Sequence, residues 1–374
     1  MSVDAEPIFL KELREQPAAV AATVADGRET VEGAASELAN DTDRLVLTGC
    51  GDPYFAAQAA VYPIERWTRL PAEAVDGLEF RVWRAEVVNE RTLVVGISQS
   101  GKTIQVIESV RLAHERGART LGVTNTPDGP LAHLVDRLLL TAGGPSYSFP
   151  TRTTTTAAAT LMDLALALAE RRGVMTADEV SDHRRILGQV LPEKMESALD
   201  LEGDLLALAH AWQSKRHFAF IGSGPGFAAA LIGAAKINET SRLPAEADQL
   251  EEYGHLHVFG IQQGTPLVFL SPSARTAARV KAMVEFALGR GHPIAIVCSE
   301  EAASSWRSLG AYVFALPEVD ELFSPLLYAV PLQLLAYGLA VTLGHNPDRP
   351  EGFDNVAIQK MIYTGLLEGW NDAE

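Results

Sequence analysis

Hydroxyl side chains are clustered in the segment 96–103, which reads Gly-Ile-Ser-Gln-Ser-Gly-Lys-Thr. The segment follows the apolar run 92–95 and precedes a helical pattern that starts near Ile104. It matches the expression G-x-x-x-x-G-K-[ST] at every specified position, which predicts the phosphate loop of a nucleotide hydrolase. Its variable positions hold two serines and a glutamine, and these indicate a different phosphate site that is made of side-chain hydroxyls. The two interpretations lead to different chemistry.

A second candidate pair interrupts the helical stretch 227–240, which otherwise consists largely of Ala, Leu, Ile and Gly. Lys236 and Glu239 stand one helical turn apart in this stretch. An ion pair at this spacing contributes about 0.2–0.5 kcal/mol, and Lys before Glu is the less favoured order. An ion pair alone is therefore not a compelling reason for placing two charges in an apolar helix.

Two histidines follow this helix, His255 sixteen positions after Glu239 and His257 two positions later. A histidine can exchange a proton near neutral pH, which suits it to acid–base catalysis. The alternatives are a surface histidine or a metal site that His255 shares with His257. A His-x-His pair without further ligands is a poor zinc signal, so no metal site is predicted.

The chain repeats itself with an offset of 173 residues. A strand-like run leads into a G-x-G turn at Gly49 and again at Gly222, and each turn is followed by an Ala-rich helical stretch. The hydroxyl segment recurs as Ser-Pro-Ser-Ala-Arg-Thr, and the shared part is Ser-x-Ser-x-x-Thr at Ser98, Ser100, Thr103 and at Ser271, Ser273, Thr276. The two glycines of the nucleotide-binding expression do not recur. Helix capping by Ser and Thr is an alternative explanation for the second copy.

Further strand-like runs occur at corresponding positions in both halves, at 120–123, 137–140, 294–297 and 311–315. Strands that alternate with helices predict parallel sheets covered on both faces. The fold class is therefore α/β, with two tandem doubly wound domains. The stretches 155–172 and 200–213 are interpreted as the helical connection between the two domains.

The predicted organisation has five parts. Helices packed outside the first domain occupy residues 1–38, and a C-terminal tail occupies residues 346–374. The remaining parts are a first domain at 39–172, a helical connection at 173–213 and a second domain at 214–345.

Composition narrows the classes of function. The chain has 374 residues and a net charge of −17 with a pI near 5.0, so non-specific nucleic-acid binding is not expected. Two cysteines, Cys50 and Cys298, do not suggest a disulfide framework. The start of the chain has no signal-peptide core, and the apolar stretch 326–343 is interpreted as a buried helix rather than a membrane span. These features predict a protein that is located in the reducing cytoplasm.

The chain resembles the sugar isomerase (SIS) family, and more closely its tandem-domain members, such as the isomerase half of glucosamine-6-phosphate synthase and the related deaminases and deglycases. The resemblance covers nearly the whole chain from about residue 40. It is carried by Ser98-Gln99-Ser100-Gly101-x-Thr103, by Lys236-x-x-Glu239, and by His255 at its spacing from Glu239. It implies two flavodoxin-like domains with flanking helices and a C-terminal tail that reaches the active site.

The resemblance also implies the role of the hydroxyl loop. Ser98, Gln99, Ser100 and Thr103 would bind the 6-phosphate of a sugar. The loop precedes a helix, and the amides and dipole at a helix N-terminus favour an anion. The family usually has Glu where this chain has Lys102, and Lys102 either strengthens anion binding or is a solvated helix residue.

By the same resemblance, Glu239 is the base that moves a proton between C1 and C2 of the open-chain sugar, and Lys236 holds it in place. His255 opens the sugar ring and reaches the active site of the neighbouring subunit, which implies a homodimer. A lysine in the tail, Lys360, contacts the sugar or is an exposed helix residue. No cofactor and no metal are expected.

Two loops depart from the family pattern. Relatives carry a Ser or Thr pair after the first turn, where this chain has Asp52 and Pro53 after Gly51. Asp52 suits a hydroxyl or an amine and is unfavourable for phosphate. A third loop holds Thr151 and Arg152 as predicted sugar contacts, preceded by a proline where the synthase has Ser.

The leading hypothesis is a metal-independent aldose–ketose isomerase or amino-sugar deaminase that acts on an anionic hexose such as a hexose 6-phosphate. Residue 2 is Ser2 rather than a cysteine nucleophile, so an internal source of ammonia is not expected. The alternatives are a deglycase of an amine-linked fructose 6-phosphate, an isomerase of a 6-sulfonated hexose and a non-catalytic sugar-phosphate sensor. The nucleotide hydrolase stays a further alternative, which requires an acidic Mg²⁺ ligand at a neighbouring strand end.

Overall fold

The computed structural model describes residues 6–348, so the predicted tail contact Lys360 lies outside the described residues. The described chain forms two compact units. One contains residues 19–145 and 152–188, and the other contains residues 6–18, 146–151 and 189–348. Each unit is built around its own five-stranded sheet.

The sheet of the first unit is entirely parallel, with the order β2-β1-β3-β4-β5. Its strands are β1 (Arg44–Gly49), β2 (Ala72–Asp76), β3 (Thr92–Ile97), β4 (Arg119–Thr124) and β5 (Arg137–Leu140). Every residue of β3 is buried, as expected for a central strand covered on both faces. This is the flavodoxin-like order, and it confirms the predicted doubly wound class.

Helices cover the first sheet. They are most of α2 (Gln16–Leu38), then α3 (Asp52–Thr68), α4 (Gly77–Glu79), α5 (Ile104–Glu115), α6 (Arg152–Arg171) and α7 (Ala177–Arg185). The stretch 155–172 ends the predicted first domain and was also interpreted as part of the helical connection. Most of it forms α6, which packs against α3 inside this unit and has seventeen consecutive buried residues. A helix that is buried over this length is part of the core of its unit.

The sheet of the second unit is also parallel and has the corresponding order β7-β6-β8-β9-β10. Its strands are β6 (Phe218–Gly222), β7 (Ala245–Gln249), β8 (Leu267–Ser271), β9 (Ile294–Ser299) and β10 (Tyr312–Leu316). Its helices are α1 (Ile8–Arg14), α8 (Leu191–Leu199), α9 (Glu202–Trp212), α10 (Pro225–Lys236), α11 (Leu250–Glu252), α12 (Val258–Gly260), α13 (Ala274–Gly289), α14 (Glu300–Arg307) and α15 (Ser324–Thr342).

Helix α15 is the core helix of the second unit. It is long and apolar enough to cross a membrane, but 89% of its apolar window is buried inside the protein. The prediction of a buried helix is therefore confirmed. Helix α1 packs against α15, and the buried amides of Gln16 and Gln333 are joined by a 2.7 Å hydrogen bond. The beginning of the chain thus belongs to the second unit, whereas the sequence predicted that it packs outside the first domain.

Strands β2 and β7 were not predicted from the sequence. Both contain acidic residues and therefore lack the pattern of an apolar strand, and both are edge strands with only partly buried side chains. The repeat offered a signal, since Leu-Pro-Ala-Glu-Ala occurs at residues 70–74 and again 173 positions later at residues 243–247. In both units this pentapeptide leads into the edge strand beside the first strand of the sheet.

The G-x-G turns allow each first strand to run directly into its helix. A Cβ atom on Gly49 would lie 2.7 Å from the backbone of Pro53, and one on Gly222 would lie 2.6 Å from the carbonyl oxygen of Gly226. Only glycine permits this close approach of strand end and helix start.

Candidate active site

The hydroxyl loop follows β3 at the point where the strand order of the first sheet reverses. The neighbouring strand β1 leads to Gly51 and Asp52, and β3 leads to Ser98 and Thr103. Connections from β1 and β3 diverge to opposite sides of such a sheet, which opens a crevice beyond their carboxyl ends. The fold therefore brings the first turn and the hydroxyl loop to the edge where open α/β sheets bind ligands.

Hydrogen bonds of its own side chains fix the conformation of the hydroxyl loop. Ser98 is fully buried, and its Oγ lies 2.9 Å from the Oγ1 of Thr103. The amide of Lys102 donates to the Oγ of Ser100 at 3.2 Å. Gly101 has a φ of +63°, a left-handed conformation that favours glycine. The loop therefore turns tightly before α5 begins at Ile104.

The start of α5 is suited to an anion. Thr103 occupies the N-cap position but makes no side-chain capping bond to the helix, because its hydroxyl contacts Ser98 instead. The first amides of a helix lack partners within the helix and attract negative charge. Lys102 is exposed beside them and adds a cationic side chain. Backbone amides, hydroxyls and an ammonium group are thus available at one helix end.

The second copy of the loop has a different structure. Helix α13 begins at Ala274, three positions earlier in the repeat than α5. Ser273 caps it by accepting a hydrogen bond from the amide of Arg275 at 3.1 Å. The guanidinium of Arg275, which corresponds to Lys102, pairs with Glu321 at 2.7 Å. Helix capping therefore explains the second copy, and anion binding is expected only at the first.

A small cleft lies in the first unit. Its polar lining consists of Asp52, Gln99, Asn125, Thr141, Thr153 and Thr154. Only Asp52 and Gln99 among these were predicted from the sequence as substrate contacts. The others come from the ends of β4 and β5 and from the start of α6, whose run of four threonines was a visible signal.

Gln99 links the hydroxyl loop to this cleft. Its carbonyl accepts hydrogen bonds from the amide of Asn125 at 3.2 Å and from the hydroxyl of Thr124 at 3.1 Å. Its side-chain Oε1 accepts from the hydroxyl of Thr153 at 3.4 Å. The glutamine is therefore fixed from both ends, and its orientation is set by β4 and α6.

Asp52 is the first residue of α3 and is only 6% exposed. Its Oδ1 accepts a 2.7 Å hydrogen bond from the hydroxyl of Thr154 on α6. The N-terminus of α3 stabilises the negative charge of the carboxylate. Cys50 precedes this turn, and burial together with the charge of Asp76 raises the pKa of its thiol to about 11.

Three predicted sugar contacts do not line the cleft. Gly51 has a φ of +63° and is the N-cap of α3, so its role in the structure is to form the turn. Thr151 is completely buried. Arg152 begins α6, and its Nη2 donates to the carbonyl of Pro145 at 2.5 Å.

In the second unit, Lys236 and Glu239 form a close ion pair. The Nζ of Lys236 lies 2.6 Å from the Oε2 of Glu239. The lysine side chain is fully buried, whereas that of Glu239 is 27% exposed. Lys236 is the last residue of α10, and Glu239 lies in the π-helical turn Ile237–Ser241 that continues it. Such turns occur frequently at functional sites.

The two histidines have different surroundings. The side chain of His255 is 75% exposed, and its Nε2 lies 3.4 Å from Glu251. His257 makes a close ionic contact through Nδ1 with Asp248, whose side chain is 3% exposed. Burial raises the pKa of Asp248 and the charge of His257 opposes the shift. Among residues 6–348, no hydrogen bond or ion pair joins His255 to Glu239, and no cluster of three metal-binding side chains occurs.

Two parallel sheets with this strand order, one of which carries a hydroxyl loop at its switch point, define a tandem α/β protein with a candidate anion site. The SIS domain model matches residues 37–168 and 212–343, and the chain belongs to this family. It is homologous to the isomerase domain of glutamine–fructose-6-phosphate aminotransferase.

Individual relatives agree with this assignment. The chain is 34% identical over 343 residues to the glutamine–fructose-6-phosphate aminotransferase (isomerizing) of Thermococcus kodakarensis, covering 91% of this chain and 56% of that protein. The chain therefore spans about half the length of the curated relatives it matches.

Among solved structures, the C-terminal domain of glucosamine-fructose-6-phosphate aminotransferase from Francisella tularensis superposes with a TM-score of 0.87 at 25% identity. The match covers 92% of this chain and 99% of that one. Glucosamine-6-phosphate deaminase from Thermotoga maritima shares the fold at a TM-score of 0.74 and 21% identity, with 93% and 98% covered.

Proposed function

We propose that the protein is a metal-independent aldose–ketose isomerase or amino-sugar deaminase that acts on an anionic hexose such as a hexose 6-phosphate. Glu239 transfers a proton between C1 and C2 of the open-chain sugar. His255 opens the ring, and the hydroxyl loop binds the anionic head group. The relatives named above are aminotransferases and a deaminase of hexose 6-phosphates, which supports the substrate class.

The observation that carries this proposal is the burial of Lys236 against Glu239. An ammonium group loses much of its hydration when its side chain is fully buried. The free energy of this desolvation is larger than the stabilisation that an ordinary surface ion pair provides. A fold that keeps such a lysine 2.6 Å from a partly exposed carboxylate gains little stability from it. The arrangement instead supplies a partly exposed carboxylate whose orientation is fixed by the lysine.

Glu239 and Lys236 have complementary roles in the proposed step. The carboxylate removes the proton from one carbon of the open-chain sugar and returns it to the neighbouring carbon. Negative charge develops on the sugar oxygen during this transfer, and the ammonium group of Lys236 offsets it. A positioned general base accelerates such a step by about 10²–10⁴-fold.

His255 is proposed to act on the neighbouring subunit of a homodimer. Its high exposure is consistent with this role, because a histidine that serves another subunit must lie at the surface of its own. Leu256 and Phe259 follow it and are 59% and 83% exposed, so apolar surface that a second subunit could cover lies beside the histidine. The cytoplasm is the proposed location.

Proton exchange in D₂O tests the reaction. Purified protein is incubated with hexose 6-phosphates, amino-sugar phosphates and 6-sulfonated hexoses, and deuterium at C1 and C2 is followed by NMR. We expect exchange with at least one of them, and a decrease of about 10²–10⁴-fold in Glu239→Gln. No exchange with any compound, or full exchange in Glu239→Gln, would contradict the proposal.

A further inference from the structure

We propose that Glu251 and Arg279 are positioning residues, which hold the imidazole of His255 in the orientation that ring opening requires. This inference rests on the proposed function, in which His255 opens the ring of the sugar. It assigns a role in the reaction to a charged cluster on the surface of the second unit, where the turn that carries the histidine meets α13.

The backbone around His255 is fixed by the core of the second unit. Tyr253 is completely buried and lies edge-on against Phe269, with ring centroids 5.7 Å apart. A Cβ atom on Gly254 would lie 2.1 Å from the Cε of Met283, so the turn packs directly against α13. The side chain of His255 nevertheless projects from this turn and is 75% exposed. The packing that fixes the backbone therefore does not fix the imidazole, and polar groups beside it must do so.

Two charged side chains supply these polar groups. The Nε and Nη2 atoms of Arg279 donate to the two carboxylate oxygens of Glu251 at 2.5 and 2.7 Å. The Nε2 of His255 lies 3.4 Å from the same carboxylate. A two-point contact between guanidinium and carboxylate fixes the plane of the carboxylate as well as its position. Arg279 on α13 therefore holds Glu251, and Glu251 in turn faces one nitrogen of the imidazole.

The contact with Glu251 determines which nitrogen of His255 remains for the substrate. Hydrogen bonding to Arg279 holds the pKa of Glu251 below its usual value, so the carboxylate is ionised at neutral pH and only accepts hydrogen bonds. A ring nitrogen that faces it must carry a proton, which occupies Nε2 and leaves Nδ1.

In the protonated imidazole, Nδ1 then gives its proton to the ring oxygen of the sugar. The bond between that oxygen and C1 breaks, and its electron pair stays on the oxygen. The hydroxyl at C1 loses its proton to water and becomes the carbonyl group, and water returns a proton to Nδ1. The orientation of the imidazole therefore decides whether this step can occur.

The repeat shows that the fold does not require the charged cluster. The π-helical turn Phe80–Arg84 of the first unit lies 173 positions before the turn Tyr253–His257, and both begin with a completely buried aromatic residue. The positions that match Glu251, His255 and Arg279 hold apolar residues in the first unit, namely Leu78, Val82 and Val106. The same turn thus forms without charges at these positions, which leaves the cluster of the second unit available for the reaction.

Relaxation of the ¹³C-labelled imidazole measures the orientation of His255 without any substrate. The signal is assigned with His255→Asn, and ring motion is compared between the wild-type protein and Glu251→Gln. We expect restricted motion in the wild-type protein and increased motion in the variant, because an amide does not keep both charge-assisted contacts with Arg279. Equal ring motion in the two proteins overturns the positioning role and leaves the proposed reaction intact.

Two ketose phosphates test whether this orientation serves ring opening. Fructose 6-phosphate closes its ring through the oxygen at C5, whereas 5-deoxyfructose 6-phosphate lacks that oxygen and stays open. Deuterium uptake at C1 in D₂O is followed for both by NMR. In Glu251→Gln we expect exchange of fructose 6-phosphate to fall on the order of 10-fold and exchange of the open analogue to change by less than about twofold, because its ring never has to open.

Arg279→Met tests whether the arginine acts through Glu251. Alone, it is expected to slow exchange of fructose 6-phosphate about as much as Glu251→Gln does, and it is expected to add nothing in the Glu251→Gln background, because either change already releases the imidazole. Additive losses would contradict this. The matched control is Glu37→Gln, since Glu37 makes the same two-point contact with Arg137 in the first unit at similar exposure. It is expected to alter neither ring motion nor exchange.

The outcomes separate this proposal from the proposed function. An equal loss with the two sugars, or no loss with fructose 6-phosphate, overturns the role of Glu251 and Arg279 in ring opening and leaves the proton transfer by Glu239 in place. Absence of exchange with both sugars in the wild-type protein counts against the proposed reaction itself, whereas ring motion still decides whether Glu251 orients His255.

Discussion

At the scale of single residues, the pair Lys236 and Glu239 is central to the proposed reaction. Sequence spacing allowed an ordinary helical ion pair, but the structure buries the lysine completely and leaves the carboxylate partly exposed. A pair that served stability would expose the longer, more flexible side chain and not the shorter one. The asymmetry is what a general base needs, since its carboxylate must remain accessible to substrate.

Replacement of Lys236 separates catalysis from stability. Lys236→Met keeps the volume of the side chain. Because Glu239 is 27% exposed, we expect the loss of unfolding free energy to stay below the cost of breaking a fully buried pair, about 3–5 kcal/mol. The rate of proton exchange is expected to fall roughly 10²-fold, because developing charge is no longer offset. Urea unfolding and NMR exchange measure the two effects.

The control for this prediction is Lys281→Met in α13, where Lys281 and Glu285 form an exposed pair at 3.8 Å in the same unit. Loss of that pair is expected to alter neither quantity appreciably. A large loss of stability in Lys236→Met with an unchanged exchange rate would identify a structural pair instead.

Asp248 gives a prediction for the dependence of stability on pH. Its pKa is raised in the folded protein by burial, above a value of 3.8 for the free side chain. The native state therefore holds this proton more tightly than the unfolded state, and the contribution of Asp248 to stability falls as the pH rises from 3.8 through the raised pKa.

Asp248→Asn removes this titration. Relative to the variant, the wild-type protein is expected to lose stability across that pH window and to remain at a constant difference above it. Urea unfolding at a series of pH values measures the difference. His257→Gln, which removes the charge that opposes the shift, is expected to widen the window. A difference that does not vary with pH would show that Asp248 titrates normally.

At the scale of elements, a single glycine distinguishes the hydroxyl loop of the first unit from the corresponding helical turn of the second unit. Gly101 adopts a φ of +63° and postpones the start of α5, whereas Ala274 at the corresponding position is already the first residue of α13. The same Ser-x-Ser-x-x-Thr pattern therefore surrounds an open helix end in one unit and a capped helix in the other. We therefore expect backbone conformation, and not the hydroxyl pattern, to decide which copy binds an anion.

Gly101→Ala tests this point. A left-handed residue with a Cβ costs about 1–2 kcal/mol, and the new atom would lie 3.3 Å from the Cα of Gly129, so the loop is expected to shift and to lose affinity for phosphate. Gly117→Ala is the matched control, because Gly117 has a φ of +80° and no atom within 4 Å of an added Cβ. The control is expected to lose similar stability but to bind phosphate normally. Equal phosphate affinity in the two variants would contradict the role of the loop.

At the scale of the whole molecule, the proposed dimer makes each active site a product of two chains. Glu239 would come from one subunit and His255 from its neighbour. The exposed position of His255 and of the apolar residues that follow it supports this arrangement. A site shared in this way is expected to be inactive in a monomer. Its activity is expected to return when two chains with different inactivating substitutions are combined.

Mixing of variants tests the shared site. Glu239→Gln and His255→Asn are each expected to be inactive as homodimers. A mixed dimer would contain one site in which both residues are intact, so random reassembly of equal amounts is expected to restore about one quarter of the wild-type activity. Mixtures that stay inactive, although size-exclusion chromatography shows mixed dimers, would place both residues in sites of a single chain.

The sequence determined much of the architecture. The offset of 173 residues, the apolar runs and the G-x-G turns were sufficient to predict two doubly wound sheets, because parallel strands buried on both faces leave a strong local pattern. The edge strands β2 and β7 were not predicted, because acidic residues interrupt the apolar pattern of both. The hydroxyl segment and the Lys236–Glu239 pair were likewise visible as residue types at defined spacings.

Only the tertiary structure decided how these residues are used. Burial of Lys236, the contact between Asp52 and Thr154 102 positions apart, and the packing of α1 on α15 join segments that are distant in the sequence. The different conformations of the two hydroxyl loops depend on where each helix begins, which the repeated pattern does not show. Spacing along the chain reports which groups are available, whereas desolvation and contact between remote segments determine which of them can do chemistry.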